Sequence, residues 1–379
     1  MRILYVTDAL AIWGGLERVL VEKANYLANQ EGYEVYVLTV CQGNHSFPFP
    51  LDHQVTYVDL NVLFYAQYQY SGIRRLLSLR HLHRECREGL RHQLTTIRPH
   101  VIVCPRIEFV RDICKVKGNI PLVFESHSSF WTSRYEGAGL LRRLHTWWMN
   151  RSARKAQAVV ALTEGDAAEW RKVNPFVHVI PDVVHLYEVG IYHDGQVQSV
   201  VFVGRLSRQK DLGSLLAVWQ LVRQRHPDWQ LHIYGEKGDI EEFLWQQLQE
   251  DGHGVTVHTP TADILDVYQR HALLLLTSRY EPFGMVLPEA MNCGMPVIAF
   301  DCPYGPADII TDGVDGFLVK DRDIEDFADK VCLLIENLGL RRQMGEAAIR
   351  SSQRYRSDRI MTAWHELFES LGTKQVLSH

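Results

Sequence analysis

The chain lacks the features that mark several common protein classes. Its apolar runs, such as residues 272–276, never exceed about a strand's length, whereas a membrane helix needs ~20 residues. The seven cysteines are scattered and never spaced Cys-x-x-Cys, which favours reduced thiols over disulfides or a zinc site. A net charge of −5 lacks the basic excess usual in nucleic-acid binders. The first apolar run stops at Asp8, too early for a secretory signal. We therefore expect a soluble, cytoplasmic protein without a nucleic-acid partner.

The length of 379 residues suits two domains rather than one core. Short β-branched runs alternate with amphipathic segments in both halves, a pattern typical of βαβ units and parallel sheets. No Gly-x-Gly-x-x-Gly follows the first strand of either half, which disfavours an NAD dehydrogenase. We predict an α/β protein with domains at residues 1–184 and 199–356 and a polar linker at 185–198. A final helix at about 357–372 could pack back on the first domain.

The densest chemical signal is a pair of acids around the start of a helix. Glu281 precedes the predicted helix, and Glu289 lies on its second turn. Two carboxylates suit sugar hydroxyls, which donate hydrogen bonds to ionised acceptors. The first backbone N–H groups of the helix, from Gly284 to Val286, favour a phosphate. The alternative interpretation is a capped helix with an exposed acid.

A basic loop follows the first strand of the second half. Arg205, Arg208 and Lys210 lie within six residues, and cations so placed can clamp a diphosphate. Taken alone, the loop could equally be a solvated basic surface. Together, the loop and the acid pair favour a site for a nucleotide-activated sugar.

These two motifs resemble those of glycosyltransferase family 4, which has a Gly-Arg-Leu…Lys loop followed by Glu-x7-Glu with Phe-Gly after the first acid. The matching residues are Gly204, Arg205, Leu206, Lys210, Glu281, Pro282, Phe283, Gly284, Glu289, Ala290, Met291, Gly294 and Pro296. The stretches that follow, from Cys302 and from Gly313, resemble members that build bacterial surface polysaccharides. The resemblance implies a GT-B fold, in which two Rossmann-like domains with parallel sheets face each other across a cleft.

The resemblance also implies roles for individual residues. Catalysis would rest on four: Arg205 and Lys210 would neutralise the donor diphosphate, Glu281 would hold the transferred sugar, and His127, which matches the family's histidine after an inner strand, would lie close to that sugar. Glu289 would bind the ribose hydroxyls. The other donor-binding residues would be Gly15, from the family's Gly-Gly-x-Glu-Arg turn, with Gly204, Phe283, Gly284, Met285 and Val286. Asp182 departs from the family, which usually has Asn at this position.

The family implies a retaining transfer of a hexose from a nucleotide sugar, UDP-linked in preference to GDP-linked, to a saccharide or polyprenyl-diphosphate-linked acceptor. Asp321 and Asp323 imitate an Asp-x-Asp metal motif, but their position before a helix predicts capping. We therefore expect neither a metal nor another cofactor. Two alternatives stay open: a sugar-nucleotide epimerase on the same fold, and a non-catalytic sugar-nucleotide-binding subunit.

Two basic stretches of the first half suggest where the protein works. Residues 71–98 and 140–155 interleave arginines with leucines, and the second contains Trp147 and Trp148. Basic amphipathic helices with Trp are typical of membrane surfaces. We therefore expect peripheral association with an anionic membrane at its inner face. The alternative is two ordinary helices whose apolar residues face the core.

Overall fold

The computed structural model describes residues 1–128, 130, 140–186, 197–249, 254–261 and 263–376. The chain divides into two compact units. The first comprises Met1–Leu162, Asp166–Val183 and Ile360–His379, and the second Thr163–Gly165 and Val184–Arg359. Most of the predicted linker, residues 187–196, lies outside the described residues.

The first unit is built on a seven-stranded sheet in which every pairing is parallel. Its strands are β1 Arg2–Thr7, β2 Glu34–Thr39, β3 Thr56–Asp59, β4 Val101–Cys104, β5 Leu122–Ser126, β6 Ala158–Ala161 and β7 Val177–Val179, in the order β3-β2-β1-β4-β5-β6-β7. Its helices begin with α1 Gly15–Ala28, α2 Gly72–Ile97, α3 Ile107–Val116, α4 Leu140–Asn150 and α5 Glu164–Trp170, of which the last starts in the second unit. A 3-10 helix, Phe64–Gln69, precedes α2.

Both faces of this sheet are covered, so its strands are apolar on both sides. All four residues of β4 are buried, as are the apolar residues of α1 at helical spacing, Leu20, Ala24 and Leu27. The last helix of the chain, Ser357–Val376, returns to this unit. Its Trp364 and Phe368 belong to the same apolar cluster as Tyr5 of β1.

The second unit repeats the design with six parallel strands. They are β8 Ser199–Val203, β9 Gln230–Tyr234, β10 Val255–His258, β11 Leu273–Leu276, β12 Val297–Phe300 and β13 Gly316–Val319, in the order β10-β9-β8-β11-β12-β13. The helices are α6 Leu212–Arg225, α7 Glu242–Gln249, α8 Ile264–Arg270, α9 Val286–Asn292, α10 Gly305–Ile309, α11 Ile324–Glu336 and α12 Leu338–Ser352, and the returning helix is α13. These two parallel sheets with their helices confirm the predicted pair of Rossmann-like domains.

The strand order explains where the site residues meet. In the second sheet, β8 lies between β9 and β11. The strand order therefore reverses here, because the chain continues from β8 towards one side of the sheet and from β11 towards the other. Ligands of open α/β sheets bind at the carboxyl ends of strands beside such a reversal. The loops after β8 and β11 carry the two predicted motifs, and both loops therefore lie at the carboxyl ends of neighbouring strands. In the first sheet, the loop after β1 has the equivalent position between β2 and β4.

Candidate active site

The two motifs of the second unit meet through one ion pair. Nζ of Lys210 donates to Oε1 of Glu281 over 2.5 Å, and Oγ of Ser278 donates to the same oxygen over 2.5 Å. Glu281 is only 4% exposed. The loop after β8 thus delivers a cation to the acid of the loop after β11. A buried carboxylate with two donors on one oxygen keeps its other oxygen available to accept from a sugar hydroxyl.

Glu289 is held separately, on α9. The hydroxyl of Tyr268, from α8, donates to Oε2 of Glu289 over 2.9 Å, and both side chains are buried. A carboxylate out of water needs such a partner. The hydrogen bond fixes the orientation of the acid to which the family assigns the ribose. Nothing in the spacing of the sequence indicated Tyr268.

The loop between the two acids depends on glycine. Gly284 has a φ of +96°, a conformation that side chains rarely adopt. Gly305, at the start of α10, lies so close to this loop that a Cβ there would approach the carbonyl oxygen of Phe283 to 1.8 Å. The backbone amides of Gly284, Met285 and Val286 donate to no carbonyl among the described residues. They form a group of donors of the kind that accepts an anion.

Arg205 differs from Lys210 in its surroundings. Its side chain is exposed and forms no ion pair or hydrogen bond with any residue in the described part of the chain. A Cβ at Gly238 would meet Cγ of Arg205 at 2.9 Å, so the glycine makes room for the arginine stem. The guanidinium therefore remains available for an anion at the carboxyl ends of β8 and β11.

A second cluster, missed by the sequence analysis, supports these loops. Asp211 accepts from Nη1 of Arg322 over 2.6 Å and from Oγ of Ser214 over 2.8 Å. Arg322 also donates to the carbonyl oxygens of Thr277 and Ser278, over 2.9 and 3.0 Å. One arginine thereby ties the end of the Lys210 loop to the start of the Glu281 loop. Its neighbour Asp323 caps α11 by accepting from the amide of Asp326 over 3.1 Å, as the sequence predicted.

In the first unit, the buried side chain of Glu17 packs against the turn after β1. Helix α1 begins at Gly15, and a Cβ at Gly14 would meet Oε2 of Glu17 at 2.2 Å. Arg106, after β4, donates to Glu17 over 3.3 Å and to Asp8 over 2.8 Å. Burial raises the pKa of Glu17, although Arg106 opposes the shift. Arg106 was not predicted, because the sequence does not show that β4 lies beside β1.

His127 lies directly after β5, and its side chain is 7% exposed. Its Nε2 is 3.1 Å from Oε1 of Glu125, and its Nδ1 is 3.6 Å from Oδ1 of Asp182. The ammonium of Lys23, on α1, contacts the same Glu125 oxygen. Burial alone would raise the pKa of Glu125, but Lys23 and His127 outweigh it and hold that pKa at about 2. Burial raises the pKa of Asp182 to about 6, although His127 opposes the rise.

Glu125, His127 and Asp182 also form a group, among the described residues, whose potential ligand atoms lie within 4.8 Å of one another. The Lys23 ammonium already contacts the Glu125 oxygen that a cation would need. The ammonium of Lys23 therefore takes the place that a metal cation would need beside Glu125, and we do not assign the group as a metal site.

Comparison with known proteins assigns the family. A model of glycosyltransferase family 4 matches residues 13–188, and a model of group 1 glycosyl transferases matches residues 192–351. The chain belongs to glycosyltransferase family 4. The predicted family is thereby confirmed, and the paired carboxylate and lysine of the second unit lie in the segment matched by the group 1 model.

Curated relatives agree with this assignment. The transferase is 29% identical to an uncharacterised glycosyltransferase of Haemophilus influenzae over 360 residues, which cover 93% of this chain and 95% of that protein. It is 36% identical over 171 residues to the amylovoran biosynthesis glycosyltransferase of Erwinia amylovora, and the match covers 44% of this chain and 47% of the relative. The chain thus spans almost all of the first relative but about half of the second.

Solved structures agree on the fold. The TarM protein of Staphylococcus aureus, crystallised with fondaparinux, alpha-GlcNAc-glycerol and UDP, superposes with a TM-score of 0.79 at 14% identity, covering 97% of this chain and 99% of that chain. This likeness confirms the predicted GT-B fold. None of the helices in the described part of the chain combines the length and the hydropathy that a membrane span requires.

Proposed function

We propose that the transferase moves a hexose from a UDP-sugar, with retention of configuration, to a saccharide or lipid-linked saccharide of a bacterial surface polysaccharide. The observation that carries this proposal is the Lys210–Glu281 pair, with the exposed Arg205 on the same loop as the lysine. It combines an acid suited to a sugar hydroxyl with cations suited to a diphosphate. The carboxylate of Glu289, oriented by Tyr268, would bind the ribose.

The chemistry follows from the charge that develops on the leaving group. As the bond to the anomeric carbon breaks, negative charge grows on the diphosphate. Arg205, Lys210 and the amides of residues 284–286 would stabilise it, which is how such sites accelerate reactions. Glu281 is held by Lys210 and Ser278, an arrangement that suits binding a hydroxyl better than attack on carbon. We therefore propose that the acceptor hydroxyl attacks from the face that the diphosphate leaves and passes its proton to the leaving phosphate oxygen, without a covalent enzyme intermediate and without a metal.

The UDP preference is supported by the UDP named for the TarM crystal, and GDP-sugars remain the second choice. The test is a thermal-shift screen of UDP-, GDP- and ADP-sugars. A ligand at 100 times its dissociation constant stabilises the fold by about 2.7 kcal/mol. Glu289→Ala is the matched variant and should lose the shift of the true donor. A screen in which no nucleotide sugar shifts the wild-type melting temperature would contradict the proposal.

Two other activities would use the same donor site. An epimerase would convert a UDP-sugar in the absence of an acceptor, whereas the transferase should leave it unchanged beyond slow hydrolysis. A non-catalytic subunit would bind the donor and turn nothing over with any acceptor. Chromatography of the sugar nucleotide after incubation with and without an acceptor mixture separates the three. We expect acceptor-dependent release of UDP that Glu281→Gln abolishes, while its melting temperature stays that of a folded protein.

For the acceptor side we propose a lipid-linked substrate and peripheral binding to an anionic membrane. The predicted alternative was that the apolar residues of both basic stretches face the core. This holds for the later turns of α2, where Leu82, Leu90 and Leu94 are buried. Near its start, however, Ile73, Leu76 and Leu77 are 78%, 49% and 55% exposed, and Trp147 and Trp148 of α4 are exposed as well. The side chains of residues 140–143 lie outside the described part of the structure. Exposed apolar side chains beside arginines suit an interface where each cation contributes ~1 kcal/mol.

Sedimentation with liposomes tests this location. Binding should rise with the anionic lipid content and fall with salt, because salt screens surface charges. The triple variant Ile73→Ser, Leu76→Ser and Leu77→Ser should stay in the supernatant. Phe243→Ser is the control, since Phe243 is 66% exposed in the second unit and should not matter. A wild-type protein that ignores anionic vesicles at low salt would favour a soluble acceptor and leave the donor proposal intact.

A further inference from the structure

The environment of His127 poses a problem of proton placement. Glu125, with its pKa held at about 2, is a carboxylate at every pH of interest and can only accept. The Nε2 that faces it at 3.1 Å must therefore donate. That leaves Nδ1, which faces Oδ1 of Asp182 at 3.6 Å. This oxygen is buried and has no hydrogen-bond partner among the described residues.

A neutral ring cannot satisfy both sides. With its single proton on Nε2, the lone pair of Nδ1 would face a carboxylate oxygen, and two buried acceptors would oppose each other. One additional proton between Nδ1 and Asp182 removes the conflict. With this proton on Nδ1, the ring can donate a charge-assisted hydrogen bond to Oδ1 of Asp182, once a small side-chain rotation shortens the 3.6 Å distance between the two atoms.

We propose that Asp182 is a positioning residue that retains one proton on Nδ1 of His127, so that the imidazole is held as a cation between two carboxylates. The charge of the cluster then balances without any further ion. Lys23 and protonated His127 carry two positive charges, and Glu125 and Asp182 carry two negative ones. The two other acids that interact with the cluster have partners of their own, since Glu17 pairs with Arg106 and Glu22 with Arg18. Balance of this kind is what allows charges to remain out of water.

The surroundings agree with a retained proton. Burial raises the pKa of Asp182 to about 6, so this buried site disfavours Asp182 as an unpaired carboxylate and favours a proton shared with Nδ1 of His127. The charged groups that face Asp182 besides His127 are Glu125 of β5 and Lys23 and Glu22 of α1. The Tyr5 hydroxyl of β1 contributes no charge, because burial raises its pKa well above its ordinary value.

The consequence for catalysis rests on the proposed function. If His127 lies beside the reacting sugar, its positive charge would oppose the negative charge that grows on the leaving group. The Asn that the family usually has in place of Asp182 would act differently, since its amide can donate to Nδ1 of a neutral ring. This transferase would then depend on pH in a way that relatives with Asn at the equivalent position would not.

The first test needs no substrate. Nitrogen-15 NMR of the ligand-free protein reports which ring nitrogens carry protons, and His127→Gln assigns the signals. At pH 6 we expect both nitrogens of His127 to be protonated in the wild type and only Nε2 in Asp182→Asn. The control Asp166→Asn changes another buried aspartate of the same unit, whose pKa burial also raises to about 6 and which bonds Ser126 and Trp170 instead. It should retain the wild-type spectrum. A wild-type ring with an unprotonated Nδ1 at pH 6 would overturn the proposal.

The second test uses turnover. We expect kcat/KM of Asp182→Asn to be lower than that of the wild type by on the order of 10²-fold at pH 6, the lower range for losing one group that stabilises developing charge. The ratio should shrink towards pH 8, which lies well above the pKa of about 6 to which burial raises Asp182, whereas Asp166→Asn should follow the wild-type profile. Equal profiles for Asp182→Asn and the wild type would refute the assigned role. If no donor is ever turned over, the proposed function fails, while the NMR result still decides the position of the proton.

Discussion

Replacement of Lys23 by Met tests whether the cluster behind His127 is governed by charge. Lys23 is 1% and Glu125 3% exposed, so the substitution leaves a buried carboxylate without its ammonium. The pKa of Glu125 is held at about 2, against an ordinary 4.5, and this difference corresponds to about 3 kcal/mol of folding stability. Breaking a buried pair by removing one partner costs about 3–5 kcal/mol. We therefore expect Lys23→Met to lose about 3 kcal/mol at pH 7.

The dependence on pH follows from the direction of that shift. A lowered pKa stabilises the fold fully above pH 4.5, and this contribution is lost as the pH falls towards 2. Without Lys23 the pKa of Glu125 should rise, so that the acid becomes protonated on mild acidification. The penalty of Lys23→Met should therefore be smaller at pH 5 than at pH 7.

Urea unfolding followed by tryptophan fluorescence at both pH values is the assay. The double variant Lys23→Met with Glu125→Gln should regain most of the stability, since Gln can still accept from His127 and carries no charge. Lys172→Met is the matched surface control, because Lys172 is 62% exposed beside Glu169 and such pairs contribute about 1 kcal/mol or less. A Lys23→Met penalty below ~1 kcal/mol at pH 7, well under the cost of breaking a buried pair, or one that is equal at pH 5 and pH 7, would refute the reasoning.

Further predictions concern the donor site. Arg205→Ala and Lys210→Ala should each lower steady-state turnover by on the order of 10²–10³, the usual loss for one charge-stabilising donor, and equal turnover would remove them from the mechanism. Tyr268→Phe should weaken donor binding in calorimetry by about 1 kcal/mol, the net value of one hydrogen bond, with no effect expected if Glu289 is only structural. Gly305→Ala should lower the melting temperature, because its Cβ would overlap the Phe283 carbonyl, whereas Gly339→Ala, with only an ordinary contact at 3.5 Å, should not. Activity should survive a metal chelator, and rescue by Mg²⁺ or Mn²⁺ after complete loss would argue for a metal.

The two parallel sheets and the family were predictable because both depend on local signals. Alternating strands and helices indicate βαβ units, and the spacing from Glu281 to Glu289 lies within one loop and one helix. The capping role of Asp323 was equally local and was correct. In each case the residues that decide the outcome are neighbours in the sequence.

Partners from distant segments were not predictable by the same means. Arg322 and Tyr268 reach the donor site from loops and helices whose placement depends on strand order. Lys23 is an exception, since a signal was present. It stands three residues after Leu20 and four before Leu27, on the buried face of α1, where a lysine requires an opposite charge. That spacing indicated a buried acid nearby, and Glu125 is that acid.

The return of α13 to the first sheet has a consequence for biosynthesis. Trp364 and Phe368 lie in one apolar cluster with Ile3 and Tyr5 of β1, and the Lys23 ammonium lies 4.4 Å from the Trp364 ring. During translation, the first sheet therefore leaves the ribosome long before the helix that covers this part of its surface. The second unit can complete its core earlier, because its residues end at Arg359. The nascent chain thus exposes an apolar surface of the first sheet until α13 has been made, and chaperones would bind that surface during this interval.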